Sequence, residues 1–185
     1  QNRVMKSNYY SKVKLMDDCV GRIVNKPEKL NILDDTWIIF SSDHGEMLGD
    51  HGLLAKKVFY EGAINVPCLF RPPNGEGQGG TDALVNHLDI VATLIDISRA
   101  APLRDSPSQS IAPLLRGESA TSHRQAVLSE LGLPPSAFVM VRTNEHKLSA
   151  DAKTREPIEL YDMVEDPAEL HNLIEREDYA EIRQH

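Results

Sequence analysis

Much that would narrow the function of this chain is missing from it. It has only two cysteines in 185 residues, Cys19 and Cys68, each in an apolar context. Two cysteines make neither a disulfide framework nor a zinc-site spacing. Both are expected as buried thiols, with a single bridge as the alternative. No apolar run approaches the roughly 18 residues of a membrane span. No basic start leads into an apolar stretch, so no secretory signal is visible. No Asn-x-Ser/Thr acceptor occurs, and the sequence assigns no compartment. Basic residues are in deficit: 20 Lys and Arg against 28 Asp and Glu leave a net charge of −8. Nucleic-acid binding relies on basic surface, so no nucleic-acid partner is expected. A small anionic substrate is not excluded, because a few local cations outweigh the mean field at a site.

What is present is ordinary globular material, 41 % hydrophobic and 26 % charged. It begins at Gln1 rather than Met, which reads as an excised or processed piece. Val13, Met16, Val20 and Ile23–Val24 recur at helical spacing and predict a helix over 9–24, broken over 25–30 around Pro27. Trp37 to Phe40 is apolar without alternation, as in a strand covered on both faces. Residues 64–71 predict a second strand, with an irregular start at Pro67. The Gly/Pro loop that follows lacks a GxxxxGK[ST] pattern and reads as a plain loop. Residues 82–97 predict a helix capped by Thr81 or Asp82.

The rhythm then changes. Residues 100–123 are rich in Pro, Ser and Arg, with a short turn at "IAPLLRG". Beyond them, "QAVLSEL", "AFVMVRT", "HKLSA" and "PIELYDM" read as short strands, with "RTNEH" as a hairpin connection. "DPAELHNLIEREDYAEIRQH" predicts a closing helix capped near Asp166 with Pro167 in its first turn. The expected architecture is an incomplete doubly wound α/β sheet over residues 1–118. A small antiparallel α+β subdomain with its closing helix is expected over 119–185.

The chemistry concentrates in "FSSDHGEMLGDHGLLAKK", residues 40–57. Ligands of open α/β sheets sit outside the carboxyl ends of strands, where Asp43 and His44 fall. Neighbouring side chains on a regular strand point to opposite faces. Both can reach one ion only if the strand ends and the backbone turns, which Gly45 permits. Carboxylate oxygen with imidazole nitrogen suits several divalent metals, and two ligands are too few for any of them. A lysine beside such a cation is poorly placed unless an anion lies between them. Lys56 and Lys57 therefore point to a sulfate or phosphate ester. His51 and Glu46 are further candidates, with structural contact as the plainer reading of His51 and loop polarity as that of Glu46. His87, His123, His146 and His171 have no partner at metal spacing and read as structural or surface residues.

These stretches resemble a known family. "MDDCVGRIV…DDTWIIFSSDHGEMLGDHGLLAKKVFYEGAINVPCLF", then "LVNHLDIVATLIDI" and "IAPLLRG", are similar to the later part of a sulfatase catalytic domain of the alkaline phosphatase superfamily. "VRTNEHKL" and "IELYDMVEDPAELHNL" are similar to the sulfatase C-terminal subdomain. The resemblance implies that Asp43 and His44 complete a divalent-cation site, calcium by expectation, with manganese or magnesium as alternatives. It implies that Lys56 contacts the ester's anionic group. His51 and Lys57 rank below it as substrate contacts. The substrate implied is a small sulfate ester, or a phosphate or phosphonate ester in related branches.

The family's nucleophile is a formylglycine made from Cys or Ser in a Cys/Ser-x-Pro-x-Arg motif. Its hydrate attacks sulfur and the alcohol leaves. Cys19 and Cys68 both lack the following proline, so the formylglycine is not in this chain. The paired aspartates that supply the other metal ligands are also absent. The pairs at 17–18 and 34–35 read as solvated acids. The sequence therefore looks like the last third of a sulfatase, expected to be inactive alone. Ala92 and Ser108 stand where the family often has Pro and Gly, with no expected effect on chemistry. The exposed edge of an incomplete sheet invites pairing with a second copy, and self-association is expected.

Overall fold

Asn31, not Pro27, stops the first helix. In the computed structural model, which describes residues 2–75, 79–117 and 123–184, α1 spans Asn2–Lys29 with Pro27 inside it. The expected break over 25–30 is thus displaced, and the helix starts well before residue 9. A proline removes one N–H from the ladder, and here the ladder runs on past it. Asn31 is left-handed, with φ 56. Its N–H donates to Glu28 O, and that of Ile32 to Pro27 O, both at 3.0 Å. That bond pair closes a helix on a left-handed residue. Lys26 and Lys29 lie in the last turn, where the helix dipole favours cations.

Strand β1 (Ile38–Ser41) pairs antiparallel with β2 (Cys68–Arg71), Ile38 opposite Arg71 and Ser41 opposite Cys68. The short helix α2 (Glu61–Ile64) lies between them in sequence. β2 is shorter than expected because Ile64 closes α2, and Pro67 stands just before the first strand residue. There its missing N–H breaks no ladder bond. β1 is not covered on both faces: Phe40 and Leu69, opposite each other in register, are both exposed.

Residues 1–56 and 62–79 form one compact unit, and residues 57–61 and 80–185 a second. The boundary expected at 118/119 and part of the Gly/Pro loop, residues 76–78, lie outside the described residues.

In the second unit, α3 covers His87–Ile97 and starts five residues later than expected. Asn86, rather than Thr81 or Asp82, is its cap. Asn86 Oδ1 accepts from the Asp89 N–H at 3.3 Å, and Asp89 Oδ2 from the Asn86 N–H at 3.0 Å. This reciprocal pair satisfies two otherwise orphaned donors. Thr93 Oγ1 donates to Asp89 O at 2.6 Å and accepts from the Ile111 N–H at 2.9 Å. Gln109 N–H donates to Asp89 Oδ1 at 2.8 Å. The helix thereby fixes the segment that enters α4 (Ala112–Leu115).

Asp89 is 0 % exposed. The Arg124 guanidinium grips it through Nε at 2.8 Å and again through Nη2. Burial alone pushes the Asp89 carboxyl up. The hydrogen bonds from Arg124, Gln109 and Asn86 outweigh that, holding it below its ordinary value. A carboxyl depressed by folding stabilises the native state above its unfolded pKa, and that stability is lost as pH falls through the folded value. Asp89→Ala leaves Arg124 a largely buried charge without its carboxylate partner. It is expected to cost about 3–5 kcal/mol at neutral pH, read from urea denaturation. The gap to wild type should close below the carboxylate range.

The antiparallel sheet appears as expected. β3 (Ala126–Leu131), β4 (Phe138–Thr143), β5 (His146–Asp151) and β6 (Pro157–Asp162) pair in chain order. Thr143 Oγ1 accepts from the His146 N–H at 3.0 Å and closes the expected hairpin. The closing helix does not form. Its residues are held in turns and in two short 3-10 segments, Glu177–Tyr179 and Ile182–Gln184. Asp162 Oδ1 takes the N–H groups of Val164 and Glu165, Asp166 that of His171, and Asn172 those of Leu160 and Ile174. Asp and Asn side chains that capture nearby backbone donors compete with a helix. Neither cysteine is in a disulfide, and both are half-buried rather than buried. His123 lies 3.5 Å from Asp89, His146 meets the Tyr179 ring edge-on, and His171 lies 3.4 Å from Asp166.

Candidate functional site

β1 ends at Ser41, and the polar triplet that follows folds on itself. Ser42 Oγ donates to His44 O at 2.8 Å, and the His44 N–H donates to Asp43 Oδ1 at 3.0 Å. These bonds turn the backbone so that the adjacent side chains converge. Asp43 Oδ2 lies 3.4 Å from His44 Nε2. The other ring nitrogen, Nδ1, lies 2.9 Å from Gly45 O. A carbonyl can only accept, so Nδ1 carries the proton and Nε2 keeps its lone pair. Nε2 accepts from the Lys56 ammonium.

Gly45 serves the site differently from the expectation. It is not among the left-handed glycines, so backbone freedom is not what it supplies. Its N–H donates to Ala63 O at 2.7 Å. A Cβ at this position would collide with the Gly62 carbonyl oxygen. The turn therefore needs a residue with no side chain, backed against the backbone of α2. Met47, fully buried, packs its sulfur near the place where a Cβ on Gly62 would sit.

Lys56 returns to His44 because the intervening residues form a pinned loop. Met47 N–H donates to Ala55 O at 2.9 Å, and Gly49 N–H to Leu53 O at 2.8 Å. Glu46 Oε1 takes the Ala55 N–H at 2.6 Å and the Leu48 N–H at 3.3 Å. Glu46 thus closes the loop rather than joining the pair. His51 stands exposed at the loop tip with a left-handed backbone, φ 52. Lys57 is exposed and begins the second unit. The structure brings Asp43, His44 and Lys56 together, and leaves His51 and Lys57 outside that cluster.

Asp43 is 84 % exposed at its side chain. Desolvation pulls its carboxyl up, but neighbouring His44, the backbone donors and Lys56 prevail and hold it below its ordinary value. A carboxylate oxygen beside an imidazole nitrogen is a suitable oxygen–nitrogen donor pair for a divalent cation. It is part of a site: among the described residues, no group of three or more His, Cys, Asp or Glu could hold a metal ion. The residues fit a cation that takes its remaining ligands elsewhere. No helix among the described residues is long and apolar enough to cross a membrane.

The family model described as Sulfatase matches residues 1–99. The chain is 32 % identical over 170 residues to a choline-sulfatase of Rhizobium meliloti, covering 90 % of this chain and 32 % of that protein. It is 29 % identical over 181 residues to an N-acetylglucosamine-6-O-sulfatase of Bacteroides thetaiotaomicron, covering 94 % of this chain and 32 % of that one. The chain thus spans about a third of the length of these curated relatives. Among solved structures, one described as a complex with its substrate D-glucosamine-2-N,6-O-disulfate superposes with TM-score 0.81. Its identity is 28 %, over 93 % of this chain and 36 % of that one. A phosphonate monoester hydrolase of Agrobacterium radiobacter superposes with TM-score 0.79 at 29 % identity, over 91 % of this chain and 36 % of that one.

Proposed function

The chain belongs to the sulfatase family, with the α/β fold of the alkaline phosphatase type, and we propose that it supplies half a divalent-cation site and an anion-binding lysine to a sulfuric ester hydrolase. The observation that carries this reading is the meeting of Asp43, His44 and Lys56 at one nitrogen, Nε2 of His44. Asp43 Oδ2 and His44 Nε2 are the atoms that would hold the cation, calcium first, with manganese or magnesium as alternatives. When bound, the cation would neutralise charge on the ester's anionic oxygens. Lys56 then finds its partner in one of those oxygens, because His44 Nε2 cannot serve lysine and cation together. Gly45 and the 46–55 loop hold these atoms in register, and Glu46 fixes the loop. His51 and Lys57 are outer contacts of the substrate in this reading. The formylglycine nucleophile is supplied by sequence outside this chain.

The phosphonate monoester hydrolase likeness favours a second ester class with the same charge pattern. Steady-state hydrolysis by the whole protein, with a sulfate monoester and a phosphonate monoester of one alcohol side by side, decides between them. The sulfate monoester is expected to give the higher kcat/KM, with turnover lost to a chelator and restored by calcium. A preference for the phosphonate ester transfers the site to the second class. Cleavage of neither would leave the chain as a non-catalytic anion-binding remnant.

A further inference from the structure

Within the unit of residues 1–56 and 62–79, left-handed backbone crowds into the loop that joins Asp43 and His44 to Lys56. Leu48, His51 and Ala55 have φ 51, 52 and 68, beside Gly49 at 97 and Gly52 at 72. Glycine adopts such angles freely. Leucine and alanine do not, because their Cβ crowds a neighbouring carbonyl oxygen. Residues of that kind persist there only where the surrounding structure over-determines them. Packing is not what holds Ala55, since the residue is exposed.

One side-chain atom holds both ends of the strained stretch. Glu46 Oε1 accepts from the Leu48 N–H at 3.3 Å and from the Ala55 N–H at 2.6 Å. The two donors belong to the left-handed leucine and the left-handed alanine. A carboxyl oxygen has two lone pairs, and these two N–H groups fill them. The carbonyl of Ala55 is held as well, by the N–H of Met47 at 2.9 Å, and Met47 is 1 % exposed. Both main-chain polar groups of Ala55 are thus fixed, one by the Glu46 side chain and one by a buried anchor. Lys56 is the next residue. The dihedral angles of Ala55 set the direction in which it leaves the loop, and its ammonium ends at His44 Nε2. With its N–H released, Ala55 is free to return to the negative φ that its side chain favours, and that change redirects the chain carrying Lys56.

We propose that Glu46 is a positioning residue for Lys56. By clamping the N–H groups of Leu48 and Ala55, it keeps the loop on a left-handed course and so aims the ammonium at His44, where the anionic oxygen of the ester is read to lie. The clamp needs an acceptor rather than a charge, so glutamine can stand in for glutamate. The inference rests on the sulfatase reading for its consequence in catalysis, but not for the aim of Lys56 at His44.

Two experiments separate those parts. In the 185-residue chain, the magnetic resonances of the His44 ring nitrogens report the Lys56 ammonium, because it sits on Nε2. In Glu46→Ala these resonances are expected to move to where Lys56→Ala puts them, with amide exchange at Ala55 quickened about tenfold or more. Glu46→Gln is expected to keep both near wild type. Quickened exchange at Ala55 with the His44 resonances unmoved overturns the proposal, and so does a Glu46→Gln chain that behaves like Glu46→Ala. Should Glu46→Ala fail to fold, Glu46→Leu keeps the volume without the acceptor and is read at the same nuclei. In the whole protein, Glu46→Ala is expected to lower kcat/KM for a sulfate monoester about tenfold, with most of the loss restored in Glu46→Gln. The loss should be much smaller when Lys56→Ala is already present. Equal losses in both backgrounds overturn it, because a general structural role does not depend on Lys56. Failure of the sulfatase reading shows separately, as absent turnover in wild type, and leaves the resonance result standing.

Discussion

Lys56→Ala is expected to lower kcat/KM of the whole protein for a sulfate monoester by about 10²–10³-fold, the usual effect of removing one preorganised charge-stabilising donor. The argument is local. Lys56 is the cation that the pinned loop delivers to His44, and its ammonium has one described partner there, the Nε2 lone pair. A cation taking that lone pair leaves the ammonium to an anionic oxygen of the ester, where its charge counts most as the ester bond breaks. The thermal midpoint should move little, because Lys56 is exposed and exposed pairs contribute little to stability. Lys56→Arg should recover part of the loss at most, since a planar fork does not replace a compact point charge. Lys57→Ala should have the smaller effect of the two lysines. A Lys56→Ala enzyme within about threefold of wild type would remove the lysine from the site, at odds with the magnitude such donors show.

Asp43→Asn should act at an earlier step. It keeps the shape of the side chain and the backbone turn, and removes the charge. Loss of a partner that only orients a ligand weakens metal binding about 10–100-fold, so loss of the carboxylate itself is expected to cost at least about 100-fold in affinity. Isothermal titration of the whole protein with calcium measures this directly. Because the Asp43 carboxyl is held below its ordinary value, it stays ionised through the neutral range. The deficit of the variant should therefore be constant there and narrow only as acid protonates the wild-type carboxylate. Unchanged calcium affinity in Asp43→Asn would place the cation elsewhere.

The parts of the fold that were legible in the sequence share one property: their signals are local. Four short strands with turn residues between them predicted β3 to β6, and the hairpin at Thr143 to His146 is fixed by a hydroxyl within that same turn. Asp43 and His44 were legible because a polar pair ended an apolar run. The misread parts depend on which of several local competitors wins. Pro27 looked like a stop, yet Asn31 has the left-handed backbone that ends α1. Thr81 and Asp82 looked like caps, yet only Asn86 has an acidic residue three positions on that can answer it. The last twenty residues have helical composition. Yet Asp166 takes the His171 N–H and Asn172 that of Ile174 first.

Long-range pairings left no sequence signal at all. Lys147 and Glu169 are two unremarkable charges until the fold buries them against Glu61. Gly45 was legible as a glycine that the turn requires, but not why. The reason is a carbonyl seventeen residues later, at Gly62, and an approach of that kind could have been sought only by pairing each glycine with the others.

The central claim is that one divalent cation and one ester anion share Asp43, His44 and Lys56. The most direct test is a crystal structure of the whole protein grown with calcium and sulfate. The account predicts a cation bound by Asp43 oxygen within about 2.3–2.6 Å and by His44 Nε2, with the Lys56 ammonium on a sulfate oxygen. A calcium ion bound without Asp43 or His44, or a sulfate out of reach of Lys56, would contradict it.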